Sequence, residues 1–315
     1  MSRPRLTIAL QTLGHTAALK QGAVRLPSFD LEFVEVTPII KAFRRMVRDL
    51  EFDISEMALT TYLTARAFNK PLTALPVFPV RGMHHGAILY NTKSGIGGPK
   101  GLEGRRVGVN RGYTVTTGVW ARGILQHEYG VNLDDVTWVL SGDEHVAEFR
   151  PPPNVERLAG GTTLEESLAA GELAAAIGIR MEHPDVAPLI ADASPHAFRL
   201  LARHGYYPIN HLLVVKDAVL ASHPNLAVEL FEALGAAKRP YVEHLRAGDI
   251  FALSAVDRMY ARVLEITGGD PLPYGIAPNR AMLETLLGYA QQQRILSGPF
   301  SVEQLFAPST ARLLA

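Results

Sequence analysis

Residues Val77–Tyr90 read VFPVRGMHHGAILY, an apolar, β-prone segment that polar side chains interrupt before it resumes. Arg81, His84 and His85 fall at the interruption, where one extended segment ends and the next begins. Strand ends often carry functional groups, because the sheet holds the backbone rigid while side chains project into a crevice. The simpler interpretation is a turn with solvated polar residues, and short motifs match by chance often enough to keep it open.

Strands and helices are predicted to alternate along the chain. Short apolar or alternating segments bounded by turn residues are typical of strands, and apolar residues at helical spacing are typical of amphipathic helices. This alternation indicates an α/β protein with mainly parallel sheets. The predicted strands are Leu6–Leu10, Leu31–Val36, Phe52–Ile54, Leu72–Val80, Gly86–Tyr90, Arg105–Val109, Val136–Leu140, Leu173–Gly178 and Ile209–Val215. The predicted helices are one opened by Thr37-Pro38, Leu59–Phe68, Thr114–Tyr129 capped by Gly130, Leu164–Ala170, Leu226–Leu234, Ala255–Ile266 and Arg280–Gln293.

A glycine-rich loop and a late strand predict the domain organisation. The loop Asn91–Gly104 contains five glycines, and a new set of strands starts after it. The strand Ile209–Val215 then returns ahead of a mostly helical tail. These features predict a two-lobed protein with a ligand cleft between the lobes. Residues 1-88 and 206-315 are predicted to form the first lobe and residues 89-205 the inserted second lobe, with crossings near Gly86–Asn91 and Ala202–Asn210.

Composition excludes several classes of protein. Among the 315 residues, 31 Lys plus Arg balance 31 Asp plus Glu, so the basic surplus of a nucleic-acid binder is missing. The chain has no cysteine, which excludes disulfides, thiolate metal sites and a Cys nucleophile. The first apolar run, Leu6–Leu10, is shorter than the roughly 7–15 residues of a signal h-region, and no run reaches the roughly 18 residues of a membrane span. We therefore expect a cytoplasmic protein with no membrane partner.

The run VWARGIL and the C-terminal YG-NR-LFAP pattern are the more specific parts of a set of segments that spans nearly the full length. These segments resemble the 4,5-dihydroxyphthalate decarboxylase family, whose fold is type II periplasmic-binding-protein-like. Arg81 and His85 match the family, whereas His84 stands where the family usually has Arg. The family's Pro-x-Met-His segment appears as Pro208-Ile209-Asn210-His211. The segments that carry the resemblance are Phe52–Leu63, Leu75–Asn91, Leu102–Val131, Tyr206–Val215, Tyr274–Ile295 and Glu303–Pro308.

The resemblance implies a carboxy-lyase, a non-oxidative decarboxylase of a hydroxylated aromatic dicarboxylic acid such as 4,5-dihydroxyphthalate, in phthalate catabolism. Loss of CO2 from a ring leaves negative charge on carbon, so the site must hold the carboxylate, exclude water and deliver a proton. The expected partner is a small aromatic carboxylate, and the residues do not decide between a monomer and a homo-oligomer. The alternative is a solute-binding protein of an ABC transporter for an anionic aromatic or sulfonate-like ligand, because fold alone does not separate the two.

Carboxylate binding is assigned to groups at strand ends and at a helix start. Arg81 and Arg111 each follow a predicted strand, and a guanidinium binds two carboxylate oxygens at once; a surface or interlobe ion pair is the alternative for both. Free amides and hydroxyls at the start of a helix favour an anion, although Thr114 could equally be an ordinary helix cap. The predicted substrate-binding residues are Arg81, His84, Arg111, Tyr113, Thr114 and Thr116.

Proton delivery is assigned to Glu56, His85 and His211. Histidine titrates near neutral pH, and burial of Glu56 in its apolar stretch would favour the protonated form. The alternatives are a carboxylate at a helix N-terminus for Glu56 and a satisfied core histidine for His211. A divalent metal is a further alternative, but side chains adjacent on an extended strand, such as His84 and His85, point to opposite faces. No cofactor and no metal ligand is therefore assigned.

Overall fold

The computed structural model describes residues 3–315 and divides the chain into two compact units. Unit 1 contains the chain up to Gly82, Ile209–Glu284 and Phe300–Ala315, and unit 2 contains Met83–Pro208 and Thr285–Pro299. The strands are β1 (Arg5–Ala9), β2 (Asp30–Phe33), β3 (Ile54–Ala58), β4 (Leu72–Arg81), β5 (Ile88–Asn91), β6 (Arg106–Val109), β7 (Thr137–Leu140), β8 (Val155–Arg157), β9 (Ala175–Ile177), β10 (Val186–Pro188) and β11 (Ile209–Lys216). The helices are α1 (Ala17–Lys20), α2 (Ile40–Asp49), α3 (Leu59–Ala67), α4 (Thr116–Tyr129), α5 (Leu164–Ala169), α6 (Ala193–His204), α7 (Asp217–Ser222), α8 (Leu226–Ala247), α9 (Ala255–Thr267) and α10 (Arg280–Gln292).

The sheet of unit 1 has five strands in the order β2-β1-β3-β11-β4. Strand β1 runs parallel to β2 and β3, whereas β11 runs antiparallel to both β3 and β4. Glu56 of β3 lies opposite Leu213 of β11, and His211 lies opposite Ala58 two positions further on. Because successive residues of a strand alternate between faces, Glu56 and His211 are diagonal neighbours on the same face.

Apolar side chains from the sheet and from α8 form the main core of unit 1. All of them are nearly inaccessible to solvent, and burial of a side chain of this size stabilises the fold by about 1.5–3 kcal/mol. They include Ile8, Ile54, Leu75 and Leu213 from the sheet and Leu230, Phe231 and Leu234 from α8.

The sheet of unit 2 has six strands in the order β10-β5-β9-β6-β7-β8. Strand β6 runs parallel to β7 and β9, whereas β5 runs antiparallel to β9 and β10. Gly108 in β6 permits the close packing of α5, because a Cβ there would lie 2.7 Å from the Leu164 side chain. Helix α4 is buried along most of its length and ends at Gly130, whose φ of 66° is the left-handed conformation of a C-cap.

The sequence predicts most elements to within a few residues, including α4 with its Gly130 cap, β4 and β11. Both sheets are mixed, because β11 and β5 run antiparallel to their neighbours, whereas all other strand pairs are parallel as expected. The residue pattern of a strand records its buried face and not its direction, which depends on distant connections. The helix expected to open at Thr37-Pro38 begins instead at Ile40, and β8 lies in a segment for which no strand was predicted.

Four helices differ more strongly from the prediction. Helix α8 continues to Ala247 and accommodates Pro240, because apolar residues such as Tyr241 and Leu245 extend the buried face beyond Leu234. Helices α1, α6 and α7 were not predicted at all.

The segment Thr285–Pro299 was expected in the first lobe, but it groups with unit 2. The segment packs closely against helix α4, which explains this grouping. The Tyr289 ring lies so near Gly123 that a Cβ there would be 2.1 Å from it, and Arg122 donates a hydrogen bond to Gln293. No helix of the described chain has the length and apolar character that crossing a bilayer requires.

Candidate active site

A carboxylate and an imidazole form a directly bonded pair in unit 1. The Nδ1 atom of His211 lies 2.6 Å from Oε1 of Glu56. The other carboxylate oxygen of Glu56 accepts the backbone N–H of Gln11 at 3.0 Å, and its side chain is fully buried. Since both carboxylate oxygens are hydrogen-bonded, the position of Glu56 is fixed, and it fixes His211 in turn.

His211 is the member of this pair that faces solvent. Its side chain is 16% exposed, whereas that of Glu56 is 0% exposed. The ring of Phe43 packs edge-on against the imidazole with the ring centroids 5.0 Å apart. Because Nδ1 is bonded to Glu56, Nε2 is the nitrogen with which His211 can exchange a proton with a ligand.

His15 is a second histidine close to Glu56, and it is buried. Its ring packs against Tyr241 and Tyr260, with centroid distances of 5.6 and 6.1 Å. Burial lowers the pKa of His15 to about 4, although the Glu56 carboxylate and the Pro79 carbonyl act in the opposite direction. His15 is therefore neutral at physiological pH and adds no positive charge beside Glu56.

The buried His15 is expected to make unit 1 sensitive to acid. Between pH 6.5 and about 4 the unfolded chain binds a proton at His15 and the folded chain does not, so the free energy of unfolding falls as the pH falls through this window. The loss reaches roughly 3 kcal/mol at the low end. Urea unfolding at about pH 7 and about pH 4.5 should show a smaller loss for His15→Gln than for wild type.

The matched control for this prediction is His244→Gln, because His244 lies in unit 1 with its side chain 63% exposed. Its acid sensitivity should equal that of wild type. An equal pH dependence in His15→Gln and wild type would show that His15 does not cause the effect.

Arg81 lies at the end of β4 and is held by Asn279. Arg81 is 5% exposed, and its Nη1 donates to Oδ1 of Asn279 at 2.6 Å. The amide of Asn279 is oriented by its own donations to the carbonyls of Pro273 and Gly275, at 2.9 and 2.8 Å. Arg81 is thus a positioned cation in the same unit as the Glu56–His211 pair.

The start of α4 in unit 2 binds a carboxylate that belongs to the protein itself. Glu144 accepts the backbone N–H groups of Tyr113 and Thr114, and the Thr114 hydroxyl donates to it at 2.6 Å. Gly112 makes this approach possible, because a Cβ there would lie 2.7 Å from a Glu144 oxygen. The amides predicted to bind a substrate carboxylate at this helix start are bonded to Glu144 in the structure, and Thr116 is the first residue of the helix.

Arg111, next to this helix start, has an unusual backbone and an uncompensated charge. Its φ is +71°, and its backbone N–H donates to Oγ of Ser141 at 2.8 Å. Its half-buried guanidinium has no acidic partner among residues 3–315, and burial lowers the pKa of Arg111. Strained backbone of this kind costs about 1–3 kcal/mol and is concentrated at functional sites.

His84 and His85 have different neighbours in unit 2. His84 is stacked parallel to Trp120, with the ring centroids 6.3 Å apart. The Nε2 atom of His85 lies 2.9 and 3.1 Å from the two oxygens of Glu128, and Nε2 of His196 lies 2.8 Å from the same carboxylate. Burial on its own would raise the pKa of Glu128, but the hydrogen bonds from the two imidazoles lower it overall.

Glu56 and His211 are thus directly hydrogen-bonded, and Tyr113 and Thr114 share Glu144 as their hydrogen-bond acceptor. His85 belongs to a separate cluster with Glu128. Sequence reasoning missed the residues that complete these arrangements. Glu128 and Asn279 lie inside segments that carry the family resemblance. His196 lies in the unpredicted α6, and the sequence signals for this helix were Asp192 at its start and Gly205 at its end. The missed residues are His15, Glu128, Glu144, His196 and Asn279.

Comparison with known proteins gives one informative sequence relative. No protein-family model matches the chain. The chain is 28% identical over 334 residues to the 4,5-dihydroxyphthalate decarboxylase of Comamonas testosteroni, with 98% of each chain covered. The resemblance noted in the sequence segments is therefore confirmed along nearly the full length.

Solved structures identify the fold. The alkanesulfonate-binding protein SsuA of Xanthomonas axonopodis pv. citri, bound to MOPS, has a TM-score of 0.54 at 15% identity, over 98% of this chain and 99% of that one. SsuA of Escherichia coli, a periplasmic aliphatic sulphonate binding protein, has a TM-score of 0.54 at 11% identity, over 99% and 100%. A Candida albicans gene product with the generic periplasmic binding protein fold has a TM-score of 0.52 at 14% identity, over 94% and 92%. The predicted α/β periplasmic-binding-protein-like fold is confirmed.

Proposed function

We propose that this protein is a decarboxylase of a hydroxylated aromatic dicarboxylic acid such as 4,5-dihydroxyphthalate. The observation that carries the proposal is the Glu56–His211 pair, a positioned proton-transfer group in a chain similar to a decarboxylase. A protein that only binds and releases a solute has no need for such a pair. The reaction is redox-neutral, so the proposal includes no redox cofactor, and a cytoplasmic location stays a prediction.

His211 acts as the proton donor in this proposal. Its imidazolium gives the Nε2 proton to the ring carbon that carries the carboxylate, the bond from that carbon to the carboxylate breaks, and the electron pair of this bond returns to the ring as CO2 leaves. Glu56 is too deeply buried to touch the substrate, so it is a positioning residue that orients the imidazole and stabilises its positive charge. His211 then recovers its proton from solvent.

Arg81 and Arg111 are proposed to recognise the acidic groups of the ligand. Arg81 is fixed by Asn279, and the half-buried guanidinium of Arg111 has no acidic partner among residues 3–315. A guanidinium is suited to a carboxylate, because a charged and bidentate hydrogen bond is stronger than a neutral one.

The test of the function is release of CO2 from 4,5-dihydroxyphthalate by the purified protein, alongside phthalate and benzoate as poorer substrates. We expect stoichiometric formation of the monocarboxylic acid and CO2. Tight binding of the dicarboxylate without any CO2, with and without added divalent metal, would refute the decarboxylase and favour the solute-binding alternative.

Arg111→Ala is expected to weaken binding of a dicarboxylate by about tenfold or more, because a hydrogen bond to a charged group contributes about 1.5–3 kcal/mol. Isothermal titration calorimetry measures the affinity. The control is Arg105→Ala, since Arg105 is exposed in the same unit, and its affinity should equal that of wild type. Small and equal effects of both changes on the affinity would show that Arg111 does not bind the ligand.

A further inference from the structure

We propose that His85, Glu128 and His196 form a binding site for one divalent transition-metal ion of the zinc class. Their ligand atoms, two imidazole nitrogens and one carboxylate oxygen, all lie within 4.8 Å of one another. The two nitrogens lie 2.8–3.1 Å from the Glu128 oxygens. An ion with ligand distances of about 2.0–2.2 Å needs only small side-chain movements to sit among the three groups.

The three side chains supply the donor set that zinc prefers. Imidazole nitrogen suits zinc and its neighbours in the first transition row, whereas magnesium and calcium prefer oxygen ligands alone. Two histidines and one glutamate form a three-ligand set that leaves a coordination position open for water or another small ligand. When the ion binds, each Nε2 offers it a lone pair, so each neutral imidazole carries its proton on Nδ1, and any additional proton between Nε2 and Glu128 is released to solvent.

The surroundings of the cluster give an ion access to its ligands from solvent. The His85 side chain is 0% exposed, and its Nδ1 has no hydrogen-bond partner in the described part of the chain, so its polar interactions run through Nε2 alone. The side chains of His196 and Glu128 are 30% and 22% exposed. The cluster therefore has one buried ligand that is fixed in place and two outer ligands between which an ion can enter from solvent.

The ligands come from three different elements of unit 2. His85 begins the 3-10 turn His85–Ala87, Glu128 lies in the last turn of α4, and His196 lies in the first turn of α6. Along the chain Glu128 is 43 residues from His85 and 68 residues from His196, so no local metal motif exists in the sequence. A bound ion would tie the turn and the two helices together. This inference does not rest on the proposed decarboxylase activity.

The experiment uses the full chain without an affinity tag, stripped with EDTA and dialysed. Calorimetric titration with Zn²⁺ should show one ion bound per wild-type chain, and Co²⁺ should give visible d–d absorption typical of a site with nitrogen ligands. His196→Ala and Glu128→Gln should each lower the Zn²⁺ affinity by more than about 100-fold, because even groups that only support metal ligands contribute about 10–100-fold.

The matched control is His204→Ala, because His204 is an exposed histidine on the same helix as His196. It should bind Zn²⁺ like wild type. The two test variants change partly exposed side chains, and unchanged far-UV circular dichroism will show that they fold. Absence of stoichiometric Zn²⁺ binding by wild type would overturn the proposal. So would an affinity that is the same in wild type, His196→Ala and Glu128→Gln.

Discussion

His211→Ala is expected to lower the turnover of 4,5-dihydroxyphthalate by roughly 10²–10⁴-fold while leaving its binding largely intact. The reason is that His211 presents Nε2 for proton transfer, while Nδ1 is held by the Glu56 carboxylate at 2.6 Å. Without the imidazole, the ring carbon must take its proton from water, whereas Arg81 and Arg111, which are proposed to bind the acid, remain in place. Single-turnover rates of CO2 release and the dissociation constant of the substrate, measured separately, distinguish these two effects.

Glu56→Gln provides a second variant that tests the pair and not only the histidine. The amide keeps the size of the side chain but no longer carries the charge that stabilises an imidazolium, so the rate of CO2 release should fall. His244→Ala, in the last turn of α8 and exposed, serves as the control and should retain wild-type turnover. A full rate in His211→Ala would exclude this pair from the chemistry.

Arg122→Ala is expected to lower the free energy of unfolding by roughly 3–5 kcal/mol, from two unpaired acceptors and an internal cavity. Arg122 is fully buried in α4. Its Nε donates to Oε1 of Gln293 at 2.8 Å and its Nη2 to the Tyr113 carbonyl at 2.6 Å. The guanidinium also lies 3.9 Å from the centroid of the Tyr113 ring and 5.5 Å from that of Trp138. Removal of the side chain abolishes all of these interactions together.

Urea unfolding followed by far-UV circular dichroism measures this loss. Arg105→Ala removes the same kind of side chain from an exposed position of the same unit. Its free energy of unfolding should differ from that of wild type by no more than about 0.5 kcal/mol. Equal shifts in the two variants would mean that the buried interactions of Arg122 contribute little net stability.

The sequence predicts local features of the site well, because they depend on neighbouring residues. Apolar spacing predicts α4 and its Gly130 cap, and polar residues at strand ends single out Glu56 and His211. The bond between these two residues was not predictable, since they are 155 positions apart and meet only through the register of β3 and β11.

The helix start at Thr114 shows a second limit of local reasoning. Its residues predict binding of a substrate anion, but the Thr114 amide is bonded to the Glu144 carboxylate, which lies 30 residues away along the chain. The burial of Arg122 has the same origin. Helical spacing places Arg122 on α4, yet its partner Gln293 is 171 residues away and arrives with a segment that was assigned to the other lobe.

The placement of the aromatic residues has an optical consequence. The chain has two tryptophans, Trp120 in α4 and Trp138 in β7, and both are fully buried in unit 2. Tryptophan fluorescence, excited at a wavelength beyond the tyrosine absorption band, therefore reports on unit 2 alone. Circular dichroism reports on both units. An emission transition that precedes or follows the dichroism transition in urea would separate the unfolding of the two units without any label. The Arg122→Ala variant should shift the emission transition more than the dichroism transition, because Arg122 lies beside Trp138.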